Sequence, residues 1–239
     1  FHIMRSALKA FSIAALCSFA SGQAIAGTAW DDIRVSVFGS KMISDGRGIV
    51  TLTAPGRPDD MRVVPISASA AFDDGRTVKS VTFLIDENPT PVVAVFRMGK
   101  ERDKVDRQSD VRAVVEASDG QLYMVTQLIK FAGGQSSCSA PPTGDPAEIV
   151  ANMGKMKLAQ IGSAEAKAAT PVLARARLDL SHPSHTGMVM DQQTLLYTPI
   201  KMVSEISVRI GDDEVFTAEG SIALSQDPMI EFDYRRSQT

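Results

Sequence analysis

Two stretches of the chain hold the residues that could do chemistry. The first is KFAGGQSSCSAPP, residues 130–142, in which Cys138 follows Gly133 and Gly134. A thiolate is a strong nucleophile, and an unperturbed cysteine supplies only a small fraction of it at neutral pH. No Lys or Arg stands within four residues of Cys138, and Lys130 is the nearest in sequence on its N-terminal side. The glycines give reach on one side. Pro141 and Pro142 stiffen the other. The second stretch, HPSHTGMVM, offers His182, His185, Met188 and Met190, soft ligands of the kind that copper takes. Against a metal site, the methionines alternate as they would in the core of a β-sandwich, and that reading is preferred. A hydrolase triad around Cys138 would have to borrow one of these two histidines from the other half of the chain.

The N-terminus explains why one thiol matters. Arg5 and Lys9 form a basic start after Met4, residues 10–20 form an apolar run too short to span a bilayer, and Ala24–Ala26 supply small residues for cleavage. Residues 1–26 are therefore expected to be a cleaved signal peptide. Leu16 before Cys17 argues against a lipoprotein site. Cleavage removes Cys17 and leaves Cys138 alone, and an odd cysteine in an exported protein is an intermolecular partner or a reactive thiol. The expected location is the periplasm.

Composition is that of a globular protein. The chain has 25 Lys+Arg and 28 Asp+Glu, so 25 − 28 = −3; loss of Arg5 and Lys9 makes it 23 − 28 = −5. A mildly acidic chain without a basic block argues against nucleic acid as partner. No second apolar segment has membrane-spanning length. There is no Gly-rich phosphate loop before a helix, no zinc helix, no paired-cysteine motif and no nucleophile elbow. No cofactor is expected.

The elements that must position Cys138 are mostly strands. Trp30, Ile33, Val37 and Phe38 fall at helical spacing before Gly39, which predicts a short N-terminal amphipathic helix anchored by the lone Trp. Strand signals follow in GIVTLTAP, RVVPISASAAF, TVKSVTFLID, VVAVFRM, SDVRAVVEAS and QLYMVTQLIKF, with turns at DDGR, ENPTP and SDG. Six or seven short strands predict a β-sandwich over residues 27–132. Residues 133–154 are a Gly/Ser/Pro-rich linker carrying Cys138. Within it, Asp145, Pro146 and Glu148 predict a short capped helix ended by Gly154. Residues 155–239 read as a second sandwich. It begins with KMKLAQI and continues through VLARARLDL, TLLYTP, VSEISVRIG, EVFTAEGSIAL and MIEFDY.

Two sets of residues resemble a known pair of proteins. LTAP, VP, DENPTPVVA, DGQLY and the di-glycine resemble SoxY, the sulfur carrier of periplasmic thiosulfate oxidation. HP, TG, the apolar strand before a turn, and DP followed by Phe resemble its partner SoxZ. The order Y then Z in one chain resembles the fused SoxYZ-like carriers associated with quinoprotein (pyrroloquinoline-quinone) alcohol dehydrogenases. The resemblance implies an all-β fold of two immunoglobulin-like antiparallel β-sandwich domains. It also implies that Gly133 and Gly134 are the hinge and Cys138 the carrier thiol. In SoxY the chain ends in Gly-Gly-Cys-Gly-Gly; here Cys138 stands three residues later than that spacing and a whole domain follows. A free tail enters a partner as one strand. An internal loop enters as two, so its partner site must be wider or shallower.

The expected function is carriage of a covalent sulfur intermediate to a redox partner, a PQQ-dependent dehydrogenase or its cytochrome c, with no catalytic turnover. The rival is a non-covalent accessory protein for the same partners, with Cys138 incidental.

Overall fold

The computed structural model describes residues 29–60, 62–86, 88–99, 104–108, 112–127, 141–163 and 173–235. Helix α1 (Ala29–Phe38) opens it. The strands of the first half are β1 (Ile43–Asp45), β2 (Val50–Thr53), β3 (Pro65–Ala70), β4 (Val78–Leu84), β5 (Val92–Met98), β6 (Lys104–Gln108), β7 (Arg112–Ala117) and β8 (Leu122–Thr126). Helix α2 (Pro146–Asn152) follows, then β9 (Met156–Ser163), β10 (Leu173–Leu180), β11 (Glu205–Ile210), β12 (Asp213–Gly220) and β13 (Met229–Arg235).

The strands form two layers, as their alternation requires. One sheet runs β1-β8-β7-β4-β5-β12-β11 and the other β2-β3-β6-β13-β10-β9. Each half of the chain contributes to both layers, so the halves join edge to edge through both sheets. On one layer β5 pairs with β12, setting Met98 opposite Phe216 and Phe96 opposite Ala218. On the other, β6 pairs with β13. Among the described residues, the strand pairings are antiparallel except β1 with β8, a short parallel edge pair.

The interior is continuous across this seam. Val81, Phe83, Phe96 and Val115 from the first half pack in one apolar cluster with Leu178, Phe216, Ile230 and Phe232 from the second. Ring centroids step from Phe83 to Phe96 at 6.0 Å, to Phe216 at 5.7 Å and to Phe232 at 5.0 Å. Offset and edge-on contacts of this kind add to the burial of the rings. Arg97 and Glu219 form an exposed ion pair over the seam at 2.6 Å. Gly99 is there because nothing larger fits: a Cβ would lie 1.9 Å from the Glu214 carbonyl oxygen.

Helix α1 forms as its spacing predicts. Trp30 and Ile33 bury against Leu84, Val114 and Leu122 on the outer face of the first sheet. Asp31 and Asp32 lie in its first turn, where the helix dipole favours negative charge. Gly39 ends it at φ +63°, and its N–H returns to the Val35 carbonyl. The Arg112 guanidinium covers the Trp30 ring at 4.4 Å while its Nε donates to Asp86 at 2.6 Å. The lone Trp is thus the helix anchor.

The structure departs from the sequence reading in three places. β6, with sequence KVDRQ, has no apolar alternation and is held between β3 and β13 by backbone pairing. β1 is an unanticipated three-residue edge. TLLYTP is not a strand. Asp191 Oδ1 accepts N–H bonds from Gln193 and Thr194, and Leu195 adopts φ +57°. A side chain that caps the backbone locally competes with sheet pairing, and only an isolated Met190–Tyr197 bridge remains.

Candidate carrier site

Cys138, Gly133 and Gly134 lie outside the described residues, as do residues 1–26. What the structure places are the two ends from which the cysteine-bearing segment departs. β8 delivers the chain to Gln127. There the Gln127 side chain accepts the Ala54 N–H at 3.1 Å and donates back to the Ala54 carbonyl. On the return side, Gln226 does the same to Thr143. Its Oε1 accepts the Thr143 N–H and its Nε2 donates to the Thr143 carbonyl, each at 2.8 Å. A primary amide can form both bonds at once because it carries a donor and an acceptor on one planar group. Each end of the segment is therefore fastened by one glutamine. The second fastening spans 83 residues and belongs to the second half.

The support under Gln226 is a small knot. Asp227 Oδ1 accepts the His182 N–H and the Asp227 N–H donates to the His182 carbonyl, both at 2.9 Å. Ser184 Oγ donates to the Ser225 carbonyl at 2.9 Å. Ser184 is buried and left-handed at φ +50°. His182 Nδ1 accepts the Ser184 N–H at 3.0 Å, which requires a neutral ring with its proton on Nε2. Burial is the main cause that holds His182 below the ordinary imidazole range. Nearby His185 lowers it further, Asp227 opposes, and Lys201 adds a smaller lowering effect. His185 is lowered by burial and then by Lys201.

His182 and His185 thus stand together in one turn beside the return end of the cysteine segment. Met188 is half-buried, and Met190 is 37 % exposed outside any strand. Their alternation is therefore not that of a core strand. His185 Nδ1 is buried without a hydrogen-bond partner. Among the described residues, no three His, Cys, Asp or Glu side chains gather as a metal-holding group.

Sequence reasoning missed Gln127 and Gln226. Their only local mark is a polar side chain at a strand end and in a turn, and neither local pattern reveals a partner 73 or 83 residues away.

Two family models match this chain. The model for sulfur oxidation protein SoxY covers residues 34–135, and that for sulphur oxidation protein SoxZ covers 163–239. The chain is a fused SoxYZ-like protein. Its halves are of the carrier type found in sulfur oxidation. The SoxY match takes in Gly133 and Gly134 and stops three residues before Cys138. Cys138, α2 and nearly all of β9 fall between the two matches. These parts distinguish this SoxYZ-like chain from a bare sum of its halves. One solved structure, the sulfur carrier protein SoxY from Chlorobium limicola f thiosulfatophilum, is 19% identical and covers 43% of this chain and 91% of its own, at a TM-score of 0.34. No curated protein matches the sequence significantly.

Proposed function

We propose that this SoxYZ-like protein is a periplasmic carrier that holds a sulfur intermediate on Cys138 and presents it to a redox partner. The observation that carries the reading is the union, in one chain, of a SoxY match reaching the di-glycine and a SoxZ match. The paired fastenings at Gln127 and Gln226 support it, because they leave the segment between them joined to a firm body at both ends. The protein turns over no substrate. In loading, the Cys138 thiolate attacks the outer sulfur of a persulfide donor, R–S–SH. A new S–S bond forms on Cys138 and the donor leaves as the thiolate R–S⁻, with no net change in electrons. The partner is a periplasmic redox enzyme, a PQQ-dependent dehydrogenase or its cytochrome c.

The test is the intact mass of protein from its native periplasm, combined with growth of a Cys138→Ser strain. A mass increase that reductant removes, with loss of the in vivo role in the variant, is expected. Serine keeps size and polarity but cannot hold a persulfide. An unmodified Cys138 together with wild-type growth of the variant overturns the reading in favour of a non-covalent accessory.

A further inference from the structure

The two sheets end in β1 and β11, and in β2 and β9. Three of these edges are blunted. β1 has three residues and β2 four. β11 turns Ile206 and Val208 into the core, and its register shifts between Val208 and Arg209. β9 is different. It has eight residues and, among the described residues, pairs with β10 alone. Leu158 lies opposite Leu178, and Met156 opposite Leu180. Directly opposed residues share one face of a sheet, so Leu158 and Met156 stand on the core face. Yet Leu178 and Leu180 are buried, whereas Leu158 is 56 % exposed and Met156 65 %. Unpaired N–H and C=O groups beside uncovered apolar side chains are a template for another strand.

We propose that β9 pairs antiparallel with β9 of a second copy of this chain, about a twofold axis through Leu158. The pairing of β9 with β10 fixes that centre. It is regular from Met156 to Gln160 and shifts beyond, where Ile161 is the extra residue of a bulge. Leu158 is the midpoint of the regular stretch. Pairing about it sets Leu158 against its own copy, Met156 against the copy's Gln160 and Lys157 against the copy's Ala159. No lysine then faces a lysine directly, and each Lys157 keeps Asp179 opposite it on β10. The axis is perpendicular to the sheet, so both core faces lie on one side. The uncovered Leu158 and Met156 of each copy gather there, and cross-strand contacts of this kind stabilise a sheet. Pairing of one edge with itself closes on two copies, which prevents open-ended stacking. A ladder of this length spans about 17 Å and buries less than the roughly 1,200 Å² of a standard interface. The dimer is therefore weak, with a dissociation constant on the order of 10–100 µM. It forms whatever Cys138 carries.

The experiment is sedimentation of the full chain carrying Cys17→Ser and Cys138→Ser, so that no native disulfide joins copies. Dimer is expected to grow in between about 1 and 300 µM. Leu158→Glu sets two carboxylates against each other at the axis and should weaken association at least about 10-fold. Met42→Glu, at an exposed side chain of the first half, should leave it unchanged. Oxidation in the same background reads the register. Leu158→Cys brings two thiols directly opposite, with Cα atoms about 4.5–5.5 Å apart, and should cross-link. Met156→Cys holds its two thiols four residues out of step, about 13 Å apart, and should cross-link only when mixed with Gln160→Cys protein. Equal urea midpoints for Leu158→Glu and its parent are expected, because the side chain is exposed; if they differ, the cysteine variants decide. A parent that stays monomeric throughout, a dimer that Leu158→Glu leaves intact, or Met156→Cys alone cross-linking as fast as Leu158→Cys, overturns the proposal.

Discussion

Phe96 and Phe216 belong to opposite halves of the chain, yet their ring centroids lie 5.7 Å apart and both side chains are fully buried. Phe96 is on β5 and Phe216 on β12, neighbouring strands of one sheet. The interior of each half is thus completed by the other.

Phe216→Ala tests that coupling. Truncating a buried Phe costs about 3–5 kcal/mol through lost burial and the cavity left behind. The chain has one Trp, Trp30, which packs on the first half, whereas Phe216 sits in the second. If the halves unfold together, the Trp30 fluorescence midpoint in urea falls with the substitution. A Trp30 midpoint that stays put while far-UV signal shifts would show independent halves.

Gly99→Ala tests the seam from the backbone side. The added methyl would meet the Glu214 carbonyl at 1.9 Å, and backbone cannot swing aside as a side chain can. β5 and β12 must then separate locally, straining the bond from the Gly99 N–H to the Val215 carbonyl. A destabilisation of about 1–3 kcal/mol is expected from overpacking of this kind. Gly56→Ala is the control, since a Cβ there meets open space. Equal urea midpoints for the two variants would contradict the close approach.

The histidine turn makes stability depend on pH. His182 and His185 both titrate lower in the fold than the ordinary imidazole value, so the unfolded chain binds their protons more readily. Their contribution is fully present above about pH 6.5 and is lost as pH falls towards their folded values. The urea midpoint should therefore drop between pH 7 and pH 5, above the range where exposed carboxylates titrate. His182→Asn can still accept the Ser184 N–H through its side-chain oxygen but does not titrate, so its pH slope should be shallower. An unchanged slope in the variant would refute the role given to His182.

Much of this fold was legible because alternation reports burial. In β10, Ala174, Ala176, Leu178 and Leu180 are all buried, and Arg175, Arg177 and Asp179 face outward, as the strict pattern requires. Helix α1 was legible because Trp30, Ile33 and Gly39 each carry a local signal. β6 was not, since KVDRQ is a strand only by virtue of the strands on either side of it. Gly133, Gly134 and Cys138, where the sequence reading puts the hinge and the carrier thiol, lie outside the described residues. The Gln127–Ala54 and Gln226–Thr143 fastenings were invisible, because each depends on a contact between distant segments.

The sharing of both sheets across the seam also changes what dilution can do. Two separate chains meeting over such a surface would part as concentration falls, because association is bimolecular. Within one chain the same contact is intramolecular, and its strength is set by an effective concentration that the solution cannot alter. The two halves are therefore present in a one-to-one ratio by construction, and one can be lost from the other only by unfolding.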